Sequence, residues 1–242
     1  MTTSKLKSDI AAIECDADGC VLEIEHTDDS FAEVQYARGV NVYVKKGEAK
    51  LYIKQKKGLF AKIFGGESAV KVMVPGHIVP AIKIAGLRTD CTIDGGIYGD
   101  VEFLAESGSL KAENAAMESC TVNAANCTTH LNKCTVKGSF ISNTEGGDIT
   151  LEYIFATHIA CRAKSGNIGA VQLNCKDSTF EAAEGNISAT ILGDESRFDV
   201  LVNSKEGTCN RESVNIEDND STFKAYAVKG NILVDFTDGK EN

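Results

Sequence analysis

Residues 164 to 173 read KSGNIGAVQL and residues 183 to 192 read AEGNISATIL, so a Gly-Asn-Ile followed by a run of small and apolar residues returns after 19 positions. The same signature, Gly then a polar residue then an aliphatic one, occurs at Gly108-Ser109-Leu110, Gly147-Asp148-Ile149 and Gly230-Asn231-Ile232. The interval of 39 before Gly147 is twice the period and places a skipped copy at Cys127-Thr128-Thr129. The interval of 45 before Gly230 holds a degenerate copy at Gly207-Thr208 and an insertion around Glu217-Asp218-Asn219-Asp220.

The residues before each turn line up in alternating phase. Val101/Phe103/Ala105, Cys120/Val122/Ala124, Phe140/Ser142/Thr144, Ile159/Cys161/Ala163, Ser178/Phe180/Ala182, Val200/Val202/Ser204 and Phe223/Ala225/Ala227 form small or apolar columns. Between them run Glu102, Asn123, Asn143, Arg162, Glu181, Asn203 and Tyr226, which read as an outward ladder. A second strand follows each turn, as in Ile149/Leu151/Tyr153, Ile187/Ala189/Ile191 and Ile232/Val234/Phe236. Period-2 alternation repeated at fixed spacing predicts an all-β solenoid of about 19 residues per coil, with two strands per coil facing each other across a thin core. In this reading Gly supplies a positive φ at the corner, Asn or Asp bonds its own backbone there, and Ile re-enters the core. Ala170-Val171 breaks the alternation, which predicts a bulge.

The first 75 residues alternate without that rhythm. IAAIECDADGCVLEIEHTDD reads as two strands around a hairpin-like corner at Asp16-Ala17-Asp18-Gly19, and FAEVQY, VNVYVKKGEAKLYIKQK and AVKVMVP read as further strands. The expected organisation is an irregular β region or cap over 1–75, continuous with regular solenoid coils over 76–242. With 22 Gly, 2 Pro and no Trp, the composition suits short strands and tight turns rather than long helices.

Net charge is −10, unevenly placed. Between Asn41 and Phe64 seven Lys face one acid, Glu48, a local +6 that leaves −16 on the remainder. Within it, Leu59, Phe60, Ile63 and Phe64 fall on one face of a helical turn, surrounded by Lys54, Lys56, Lys57 and Lys62. Such a segment predicts either docking on an anionic membrane surface or a protein partner, or a cover for an open solenoid end. It contains Lys without Arg on an acidic chain, which argues against nucleic acid. The start MTTSKLKSDIAAIEC has no apolar signal region and no stretch is long enough to span a membrane, so the expectation is a cytoplasmic protein, peripheral to the membrane if the basic segment docks there.

The opening IAAIECDADGCVLEIEHTDD, a Lys-rich strand, a strand ending at Val74-Pro75 and repeats of the type SGNI and GGDITL together resemble the bacterial putative-adhesin family, whose β-solenoid is also called the toastrack domain. The resemblance covers nearly the whole chain. It implies a non-enzymatic binding or scaffold role in a bacterial envelope-stress setting, with no catalytic residues.

No catalytic constellation, cofactor site or metal site is read from the residues. The outward ladder holds no carboxylate pair on neighbouring coils, as a carbohydrate-active β-helix would need; Arg162 above Glu181 reads as an ion pair. The ladder Lys111, His130, Thr150, Gly169, Ser188 is no better supplied. The four His are scattered, and the nine Cys contain no CxxC, so they read as reduced packing residues. Glu217–Asp220 lacks the spaced ligands of a calcium loop. Two other roles stand beside the binding module: a bactofilin-like protein that self-associates through its solenoid ends, and a carbohydrate-active enzyme.

Overall fold

The structure is a computed structural model that describes residues 1–6, 10–37, 39–45, 48–55, 68–215 and 219–238. Among these the chain is all-β, with one 3-10 turn at Glu195–Arg197. The N-terminal strands are β1 (Thr2–Lys5), β2 (Ala12–Asp16), β3 (Cys20–Thr27), β4 (Glu33–Tyr36), β5 (Val40–Lys45), β6 (Lys50–Gln55), β7 (Ser68–Pro75) and β8 (Ala81–Asp94). They are followed by β9 (Ile97–Glu113), β10 (Ala116–Asn132), β11 (Thr135–Gly146), β12 (Ile149–Glu152), β13 (Phe155–Ser165) and β14 (Ile168–Glu184). The last four are β15 (Ile187–Leu192), β16 (Phe198–Ser204), β17 (Ser221–Lys229) and β18 (Ile232–Thr237).

Successive strands lie parallel, one layer on the next. Val101 stands beside Cys120, Cys120 beside Phe140, Phe140 beside Ile159 and Ile159 beside Ser178. The inward columns are the core: Phe103, Val122, Ser142, Cys161 and Phe180 are all fully buried on successive layers. After each Gly corner the second arm buries Leu110, Thr129, Ile149, Ile168 and Ile187 in the same register. The irregularity expected at Ala170-Val171 is present as a register shift between Ala170 and Leu173 against β15.

Glycine at the Gly-x-Ile corner has a different reason from the one the sequence offered. Gly108 (φ 129°) and Gly147 (φ 110°) do have positive φ, but Gly166, Gly185 and Gly230 do not. What these three share is contact with the layer beneath. A Cβ on Gly166 would lie 2.2 Å from the Gly147 carbonyl oxygen; one on Gly185 would lie 2.0 Å from that of Gly166, and one on Gly230 2.0 Å from that of Gly185. Backbone stacks on backbone, and only a residue without Cβ fits. The neighbouring Asn does not bond its own backbone either. Its Oδ1 accepts from the next layer: Asn167 N–H donates to Asp148 at 2.7 Å, Asn186 N–H to Asn167 at 3.0 Å and Asn231 N–H to Asn186 at 2.9 Å.

Positive φ recurs layer after layer only at the opposite corner, where Gly95 (66°), Asn114 (52°), Lys133 (52°), Tyr153 (55°) and Gln172 (54°) stack in succession among the described residues. Side chains other than Gly pay for that conformation. Replacing exposed Lys133 with Gly is therefore expected to raise the unfolding free energy by roughly 0.5–1 kcal/mol, the left-handed penalty less the entropy of Gly, as urea denaturation would measure.

Both ends of the stack are interleaved. The first layer, β2–β3, is not a hairpin: Ile13 lies between Leu51 and Ile82, and Leu22 between Val70 and Cys91. The chain's earliest layer thus sits second, inside the one formed by β6 and β7, with β1, β4 and β5 added outside as antiparallel strands. At the other end β17 lies between β14 and β16, Phe223 touching Ser178 on one side and Val200 on the other. β18 likewise pairs with β15, and Cys209 bridges to Ile232 beyond it. The outermost edge here is covered by the chain itself. Val214 exchanges two 2.8 Å backbone bonds with Val200, Ser213 bonds both N–H and C=O of Val202, and the Asn210 carboxamide does the same for Val234.

Candidate functional site

Strand β9 runs through Gly108 without a break, β10 does the same through Cys127, the place of the skipped copy, and a groove of about 930 Å³ follows this bend across seven layers. At about 4.8 Å per layer it extends roughly 29 Å. Its floor is the third inward column, Ala105, Ala124, Thr144, Ala163, Ala182 and Ala227, whose small side chains leave the surface recessed.

One wall is the outward ladder, in an order that differs from the sequence reading. Glu102 belongs to the neighbouring ladder, beside Thr121, and pairs with Lys83 at 2.7 Å. Leu104 stands where Glu102 was expected, next to Asn123. At the far end Tyr226 precedes Asn203, because β17 is interleaved. The ladder therefore reads Leu104, Asn123, Asn143, Arg162, Glu181, Tyr226, Asn203, and all but Leu104 line the groove. Asn143 Nδ2 donates to Asn123 Oδ1 at 2.8 Å, and the expected Arg162–Glu181 pair is present and two-pronged, at 3.0 and 3.3 Å. Both partners are well exposed, so the pair adds little to stability. The opposite wall carries Glu106, Ala125, Glu145, Lys164, Ala183, Val228 and Lys205.

The lining balances three acids, Glu106, Glu145 and Glu181, against three bases, Arg162, Lys164 and Lys205, on a chain whose net charge is −10. No two of these acids stand on neighbouring layers of the same ladder. Sequence reasoning reached one wall of the groove and missed the other. The signal was available as the small and apolar outward residues Ala125, Ala183 and Val228 at matching places on their layers.

The basic segment fares differently. Lys54 is an exposed residue of β6, its Nζ 5.9 Å from the centre of the Tyr52 ring, while Lys56, Lys57, Leu59, Phe60, Lys62, Ile63 and Phe64 lie outside the described residues. Among the described residues no three His, Cys, Asp or Glu side chains gather as for a metal ion, and no helix is long and apolar enough to cross a membrane. Eight of the nine cysteines are buried. Loss of solvation raises Cys120 to about 12 and Cys127 and Cys175 to about 11, which keeps them as thiols.

No family model matches the chain, and no curated protein matches it. Among solved structures it is similar to a putative adhesin from Parabacteroides distasonis ATCC 8503, with 19% identity, 98% of this chain and 96% of that one covered, and a TM-score of 0.43. It is also similar to a putative adhesin from Bacteroides fragilis NCTC 9343, with 14% identity, 98% and 96% coverage, and a TM-score of 0.51. The likeness to the Bacteroides fragilis protein is one of fold, and it runs the length of both chains.

Proposed function

We propose that the chain is a β-solenoid with about 19 residues per coil, capped over 1–75, and that it is a non-enzymatic, adhesin-like binding module whose ligand lies along the seven-layer groove. The observation that carries this reading is the groove itself. It is long, floored by alanine, balanced in charge and walled by carboxamides, an Arg–Glu pair and Tyr226. Side chains that donate and accept along an extended track suit a linear polymer, and the absence of adjacent carboxylates in its ladders favours holding over cleaving it. Closure of the C-terminal edge by residues 210–214 favours a binding module over end-to-end growth at that end.

The test is a panel of immobilised linear glycans and extended peptides, probed with the native protein and with an Ala125→Trp, Ala183→Trp variant whose indoles fill the groove. Binding that falls at least tenfold in the variant supports the reading. Equal binding by both proteins removes the groove from it, and turnover of a bound glycan removes the non-enzymatic part. Docking of Lys54–Phe64 on anionic lipid is a separate proposal, checked by salt-sensitive sedimentation with anionic but not neutral vesicles and its loss in a Phe60→Ser, Phe64→Ser variant.

A further inference from the structure

Cys15 and Cys20 are set apart from the other buried thiols by their relation to each other. Cys15 is the last residue but one of β2 and Cys20 the first of β3, flanking the Asp16–Gly19 corner, where Gly19 takes a φ of 66°. Both point inward from the two sides of one corner, with 2% and 1% of their surface exposed, near enough for each thiol to shift the other's titration. In register they stand beside Ile84 and Thr89 of β8, so the neighbouring layer holds both in place. Interaction with the Cys15 thiol holds Cys20 below its ordinary range, while the same interaction and burial push Cys15 up. One sulfur is thereby the readier nucleophile and the other carries the proton. A cavity lined by Asp16, Asp18, Gly86 and Leu87 lies against the outside of this corner.

We propose that Cys15 and Cys20 form an oxidisable dithiol that closes to a disulfide across the Asp16–Gly19 corner, with a small neutral peroxide as the oxidant. The Cys20 thiolate attacks one peroxide oxygen; the S–O bond forms, the O–O bond breaks, and the departing hydroxide leaves as water after taking a proton. Cys15, deprotonated, then attacks the Cys20 sulfenic sulfur, forming S–S and releasing the second water. Two thiols and one hydrogen peroxide thus give one disulfide and two waters. A peroxide suits the site because it is small and uncharged beside Asp16 and Asp18, where a bulky disulfide reagent has no room to reach sulfurs this deeply buried. The bond would staple the corner of the layer held between β6–β7 and β8.

The full chain, treated with hydrogen peroxide, alkylated in denaturant and digested with trypsin, gives the answer directly. Cys15 and Cys20 fall in one tryptic peptide, Ser8–Arg38, and their nearest competitor, Cys91, in another, Thr89–Lys111. The expected product is an intact Ser8–Arg38 peptide lighter by two hydrogens, with seven of the nine thiols alkylated and all nine recovered after dithiothreitol. A Cys15→Ser variant, which keeps a hydroxyl beside Cys20 but cannot close the disulfide, is expected to trap sulfenic acid on Cys20 with dimedone. Both cysteines of the peptide still alkylated after peroxide, or a cross-link to Thr89–Lys111 instead, overturns the proposal, and neither result depends on any variant folding.

Discussion

Gly185→Ala is expected to cost about 3 kcal/mol or more of stability, the upper range for forcing an atom into a packed interior, and so to lower the thermal midpoint by roughly 6–12 °C. The added methyl would sit 2.0 Å from the Gly166 carbonyl oxygen, and the obstacle is backbone, which cannot swing aside as a flexible side chain could. Gly166→Ala meets the Gly147 carbonyl oxygen at 2.2 Å and is expected to behave alike. Gly169, three residues after Gly166 and inside β14, supplies the control. A Cβ there meets nothing within 4 Å, so Gly169→Ala should gain roughly 0.5–1 kcal/mol from the unfolded state alone. Calorimetry of the three variants separates contact from conformational freedom. If Gly185→Ala and Gly169→Ala prove equally mild, the layers do not stack at this corner as described.

Removing residues 221–242 is expected to abolish the cooperative folded state rather than trim one end. In a stack ordered as the sequence runs, β17 and β18 would form the last layer, and their loss would leave the rest standing. Here they lie between β14–β15 and β16, so their removal strips the partner from both sides at once. A milder version uses two aromatic residues. The rings of Phe180 and Phe223 meet edge to face at 5.7 Å, although 43 positions separate them in the chain. Each Phe→Ala change is expected to cost about 4 kcal/mol, and a double-mutant cycle should return about 1 kcal/mol of coupling. A cycle that returns no coupling would place Phe223 in the outer layer and sink the interleaved order.

The features legible in the sequence were those in which chemistry repeats at each layer. Alternation identified the inward columns, and Gly-Asn-Ile located the corner. Polarity misled at one position, however: the inward columns align Leu104 with Asn123, and the ladder took the acid Glu102 in place of that apolar residue. Glycine is ambiguous in another way, since it answers both a positive φ and a close approach. At Gly166, Gly185 and Gly230 it answers the second, while the left-handed bend across the layer is carried by Asn114, Lys133, Tyr153 and Gln172, of which only Asn carries a sequence signal. The interleaving left no trace, because a strand's neighbours across the sheet are recorded nowhere in its own residues. The hairpin expected at Asp16–Gly19 failed for the same reason: local alternation with a turn between fits two arms of one layer as well as two paired strands.

The Asn ladder has a direction. From Asp148 through Asn167, Asn186 and Asn231 to Thr208, each residue's backbone N–H points back to the side-chain oxygen before it, with no reversal. The run begins on a carboxylate, which can only accept, and finishes on Thr208, whose N–H and hydroxyl both donate to Asn231. The molecule is therefore polar along its axis. Two copies related by a two-fold axis would bring like ends of this track together, so a second molecule could prolong the pattern only head to tail, in a chain whose two ends stay distinct.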